Sequence, residues 1–159
     1  CVDAIREDGV DVSTVSYSST TPTGFVAIEL QRGRHRTLVF VPGANDELDW
    51  SAVESVVRSV GADDLVVAQA EVPPAVAAAL AAHADSTSTQ LFLDPTPPER
   101  VGLDLLHAAE VITPDRAEAA LLAGRTDTSE VWPSIAAAEM LPLGVGIGAI
   151  VSHWPVQVL

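Results

Sequence analysis

Val111-Ile-Thr-Pro-Asp-Arg-Ala-Glu-Ala-Ala-Leu-Leu-Ala-Gly124 joins a short apolar run to a helical one, with a physical cause for the boundary at each end. Glu110 to Ile112 reads as a strand. The helix expected from Pro114 to Ala123 takes Thr113 as its N-cap, Pro114 at the first helical position and Gly124 just past its last turn. Asp115 and Glu118 fall in the first turn. Two explanations suit them at this point. They offset the helix dipole and cap its free N–H groups, or they serve a phosphate and its metal where a strand feeds a helix.

The same alternation extends on both sides. Upstream, Gln90 to Leu93 reads as a strand ended by Asp94-Pro95-Thr96-Pro97-Pro98, and a helix is expected from about Glu99 to Ala108. Before it, the apolar run Leu65 to Ala70 precedes an alanine-rich helix that opens at Pro73-Pro74 and reaches about Ala84. Trp50, Val53, Val56, Val57 and Val60 share one face of a helix from about Asp49 to Val60. Downstream, Ser129 to Met140 is expected to be helical and Gly146 to Val151 to form a last strand. Unbroken apolar strands alternating with helices imply a parallel sheet covered on both faces.

The beginning of the chain has another texture. Thr23 to Leu30 and Arg36 to Pro42 are rich in Val, Ile, Phe and Thr and read as a β-hairpin, with Val12 to Tyr17 as a third strand. Pro42-Gly43-Ala44-Asn45-Asp46 is a turn. The expected fold is therefore α/β: residues 1–46 give the end of a helix and a small antiparallel β lid, and residues 47–159 a partial three-layer α/β/α core. Ligands in such folds bind at the carboxyl ends of the parallel strands.

Composition narrows the partners. The chain has 159 residues, 48% of them hydrophobic and 19% charged, which is globular composition. Its net charge of −14 comes from 22 acids against eight arginines, with no lysine. That balance argues against nucleic acid or an anionic membrane as partner. The apolar runs are too short to span a bilayer, and the polar, acidic start does not read as a secretory signal. A lone cysteine, Cys1, fits a cytoplasmic location. The basic cluster Arg32, Arg34, His35 and Arg36 reads as a solvated hairpin turn.

Without lysine there is no Walker-type loop, and no zinc spacing or Gly-x-Ser-x-Gly elbow occurs. The candidates are instead the acids beyond successive strands: Glu71, Asp94, and Asp115 with Glu118. Gln69 lies inside a strand, where its amide needs a partner from the fold or from a ligand.

Taken in order, Pro22-Thr23-Gly24, Pro42-Gly43-Ala44-Asn45, Gln69-Ala70-Glu71, Asp94-Pro95-Thr96-Pro97 and Thr113-Pro114-Asp115-Arg116-Ala117-Glu118 resemble the ribokinase-like (PfkB) carbohydrate kinases. The likeness runs from about Gly9 to Val151 and corresponds to the middle of a family member. It implies a ribokinase-like, Rossmann-type fold, truncated at both ends, and transfer of the ATP γ-phosphoryl to a sugar hydroxyl such as ribose, with Mg²⁺. Glu71, with Gln69 nearby, would be the sugar side of the site. Glu118 would organise metal and phosphates through water, and Asp115 stands where the family motif has asparagine. The lid would cover the sugar and offer a homodimer contact.

The resemblance also exposes differences. The family's Gly-Gly sugar segment and its Gly-Ala-Gly-Asp motif, which supplies the base and the anion hole, are not found; Gly61-Ala62-Asp63-Asp64 precedes a strand instead of opening a helix. No catalytic residue is therefore assigned, and the chain by itself is expected to be an inactive form. The alternative is a non-catalytic sugar-binding or self-associating module.

Overall fold

The computed structural model describes residues 1–30, 36–125 and 147–148. After a short helix α1 (Val2–Glu7), strands β1 (Thr23–Leu30) and β2 (Arg36–Gly43) form a two-stranded antiparallel sheet with Val26 opposite Phe40 and Ile28 opposite Leu38. A 3-10 turn (Ala44–Glu47) leads to α2 (Trp50–Val57). The chain then alternates through β3 (Leu65–Gln69), α3 (Pro74–Thr87), β4 (Gln90–Asp94), α4 (Leu103–Ala108), β5 (Val111–Ile112), α5 (Arg116–Leu122) and β6 (Ile147–Gly148). The last four strands form one parallel sheet in the order β3-β4-β5-β6. A small antiparallel sheet beside a larger parallel one is the α/β, ribokinase-like arrangement expected from the sequence.

The core lies against one face of the parallel sheet. Leu91, Leu93 and Ile112 point there and are buried with Leu80, Ala81 and Ala84 of α3, Leu105 and Leu106 of α4, and Ala119 and Ala120 of α5. The alanines let the helices sit close to the strands. Each crossover links parallel neighbours in sequence order, so the right-handed rule places all of these helices on one side.

The lid is held at its root by two glycines that tolerate no side chain. A Cβ on Gly24 would lie 2.3 Å from the carbonyl oxygen of Pro42. Gly43 has a φ of 54°, and a Cβ there would meet the carbonyl oxygen of Pro22 at 2.5 Å.

Several boundaries differ from expectation, each for a local reason. Val12 to Tyr17 is no strand: Asp11 Oδ1 accepts from the Ser13 N–H at 2.8 Å and Val15 N–H donates to the Val12 carbonyl, which folds the segment into turns. The helix expected from Glu99 is divided into a 3-10 turn (Pro98–Arg100) and α4, because Val101 and Gly102 are extended. Helix α3 continues to Thr87 and ends at left-handed Ser88. The cap of α5 is Asp115 and not Thr113, whose N–H donates to the Leu93 carbonyl at 3.0 Å and so prolongs the sheet. The expected helix at Ser129 to Met140 and most of the strand at Gly146 to Val151 lie outside the described residues.

Candidate functional site

The carboxyl ends of β3, β4 and β5 open into a crevice of about 430 Å³ beneath the lid. Its roof is the inner lid face, Val26, Leu38 and Phe40; its floor includes Glu71, Thr96, Asp115 and Glu118. Three of the five candidates expected from the sequence, Glu71, Asp115 and Glu118, thus meet in one space. An apolar roof over an acidic floor suits a ligand with a carbon skeleton and hydrogen-bonding hydroxyls.

Asp94 and Gln69 do not line this space, and Gln69 is bonded within the fold. Its Nε2 donates to Asp94 Oδ2 at 2.8 Å, so the fold itself supplies the partner that a strand amide requires. Asp94 Oδ1 in turn lies 2.9 Å from the Thr96 hydroxyl, which lies 2.6 Å from Glu118 Oε1. One hydroxyl proton serves one acceptor at a time, so Thr96 links the two carboxylates without satisfying both at once.

Glu118 and Asp115 form a reciprocal capping box. Asp115 Oδ1 accepts from the N–H groups of Ala117 at 2.8 Å and Glu118 at 2.9 Å, while Glu118 Oε2 accepts from the Asp115 N–H at 2.6 Å. Both oxygens of Glu118 are therefore engaged. Among the described residues no three His, Cys, Asp or Glu side chains are grouped to hold a metal directly. Each carboxylate oxygen has a second lone pair, so Glu118 fits a hydrated Mg²⁺ through water.

Four acids of the lid root and the segments near it, Asp11, Glu47, Asp49 and Glu54, are held below their ordinary values. Glu47, at the lid root, is lowered chiefly by a hydrogen bond from the Thr21 hydroxyl and further by Ser18. Asp49 is lowered by Ser51 and then by the Ala52 N–H that it caps, Glu54 by Arg58, and Asp11 by Ser13.

Two contributors were missed by sequence reasoning. The roof residues Val26, Leu38 and Phe40 alternate along the hairpin, so their shared face was readable but their destination was not. Thr96 lies within the Asp-Pro-Thr-Pro run, yet its contact with Glu118 depends on neighbouring strand ends.

A parallel sheet with carboxylates beyond its strand ends, roofed by a β-hairpin, defines an α/β protein with a covered crevice. Residues 2–142 match the pfkB family of carbohydrate kinases, and the chain belongs to that family. It is similar to the ribokinase of Haemophilus influenzae, 26% identical over 121 residues that make up 76% of this chain and 40% of the relative. The ribokinase of Staphylococcus aureus is 31% identical over 76% of this chain and 40% of its own length. The structure of Arabidopsis thaliana ribokinase complexed with ribose and ATP superposes with a TM-score of 0.57 at 26% identity, covering 82% of this chain and 43% of that one. The chain thus spans about two-fifths of the length of these curated relatives. No helix among the described residues is long and apolar enough to cross a membrane.

Proposed function

We propose that the crevice beneath the lid is the sugar-binding part of a carbohydrate kinase that transfers the γ-phosphoryl of ATP to a sugar hydroxyl such as ribose. The observation that carries this reading is the convergence of Glu71, Asp115 and Glu118 under one apolar lid face. Glu71 accepts hydrogen bonds from sugar hydroxyls. Val26, Leu38 and Phe40 exclude water above the ring, which strengthens the polar contacts below it. Magnesium, when bound with ATP, supplies charge neutralisation at the phosphates. Glu118, fixed by Thr96 and the Asp115 N–H, holds water on the phosphate side. Asp115 caps the helix, and its negative charge opposes a phosphate placed beside it.

No base is assigned among these residues, so the 159-residue chain alone is expected to bind ribose without phosphorylating it. Calorimetry with ribose and Mg·ATP tests this, alongside a phosphotransfer assay. Glu71→Gln should weaken ribose binding about tenfold, the scale of one lost hydrogen bond to a charged group. Absence of ribose binding by the unaltered chain, or equal affinity in Glu71→Gln, counts against the reading.

A second reading, a self-associating module, is favoured by the outer lid face. Phe25 is 59% exposed and Val39 53%, on the side facing away from the crevice. Sedimentation separates the two: a stable dimer lost on Phe25→Ser would favour the module.

A further inference from the structure

Arg100, at the end of the 3-10 turn after β4, reaches three parts of the molecule at once. Its Nη2 donates to Asp46 Oδ1 at 2.6 Å and to the Val72 carbonyl oxygen at 3.2 Å, and its guanidinium carbon lies 5.9 Å from the centre of the Phe40 ring. Asp46 lies in the turn that closes the lid, Phe40 is part of its roof, and Val72 directly follows Glu71. The Arg100 side chain is only 23% exposed, so water screens these contacts less than it would on an open surface. A planar guanidinium can donate within its plane and offer a face to an aromatic ring, which an ammonium cannot do in the same way.

We propose that Arg100 is the positioning residue that fixes the lid in its closed place over the crevice and couples that place to the loop carrying Glu71. The proposal rests on the reading of the crevice as a sugar site. A lid that must open for ligand and close around it needs a contact strong enough to favour closure and weak enough to break. Three modest interactions from one side chain meet both conditions.

The test is amide hydrogen exchange on the 159-residue chain, with and without ribose, for the unaltered protein, Arg100→Ala, Arg100→Lys and Asp46→Asn. Arg100→Ala should raise exchange in β1 and β2 about tenfold while β4 and β5 keep their protection. Arg100→Lys retains a cation for Asp46 but not the planar face toward Phe40, and should restore only a minor part of the loss. Asp46→Asn should loosen the same two strands, and it carries the test if Arg100→Ala does not fold. Unchanged lid exchange overturns the proposal, as does a rise spread equally over β4 and β5, which a purely structural residue would give. Ribose should protect the lid in the unaltered chain and less so in Arg100→Ala. If ribose protects neither while the ligand-free difference persists, Arg100 retains its hold on the lid and the sugar reading fails.

Discussion

Asp115 carries two demands that pull in opposite directions. As N-cap its carboxylate accepts two backbone N–H groups, and asparagine does this nearly as well. Beside a phosphate, an ionised aspartate can only accept and repels, whereas asparagine can donate. Asp115→Asn should therefore change unfolding free energy by less than about 0.5 kcal/mol, while Asp115→Ala costs about 1 kcal/mol in urea titration. On the proposed function, Asp115→Asn should also tighten Mg·ATP about fivefold by calorimetry. Unchanged or weaker nucleotide binding in that variant would remove Asp115 from the phosphate side and leave it a cap alone. Glu71, Asp115 and Glu118 were legible because each follows an apolar strand. Thr96 and Arg100 were not, because their decisive partners lie 22 and 54 residues away in sequence.

The lid is the element whose existence was clearest and whose attachment was least so. Alternating Val, Phe and Ile on both sides of a Gly-containing turn announces a hairpin, but nothing in that pattern tells which residues hold its root. The root includes the Thr21 hydroxyl bonded to the Glu47 carboxylate across the two chain crossings. That bond keeps Glu47 below its ordinary value, so it contributes stability above the unfolded value and loses it as pH falls through the folded one. Lid exchange, compared with Glu47→Gln at each pH, should be slower in the unaltered chain at neutral pH and converge with the variant in acid. A constant difference across the range would mean that the Glu47 charge does not hold the root. The same elements show why boundaries slip. Thr113 has the composition of a cap, but its N–H bond to Leu93 makes it a continuation of the strand and leaves the cap to Asp115. Likewise a short Val-Ser-Thr-Val run has strand composition, and one Asp11 bond turns it into a loop.

At the scale of the whole molecule, a parallel sheet read in sequence order has an unavoidable consequence. Right-handed crossovers between successive neighbours put α3, α4 and α5 on one side, and the buried cluster is on that side. The opposite face carries Leu65 and Val67, 58% and 68% exposed, with Phe92 and Val111 half-buried beside them in register. The apolar runs implied a sheet covered on both faces; among the described residues the crossover helices cover one of them. The two faces should answer mutation differently. Val67→Thr should alter the stability of the 159-residue chain by no more than about 0.5 kcal/mol, since it leaves no cavity and buries no hydroxyl. Leu93→Ala, on the helix side of the same sheet, should cost about 2 to 5 kcal/mol, because that side chain is fully enclosed. Denaturant titrations of both variants give the contrast directly. A Val67→Thr loss as large as that of Leu93→Ala would mean that the open face is packed in solution and that the sheet carries a core on both sides.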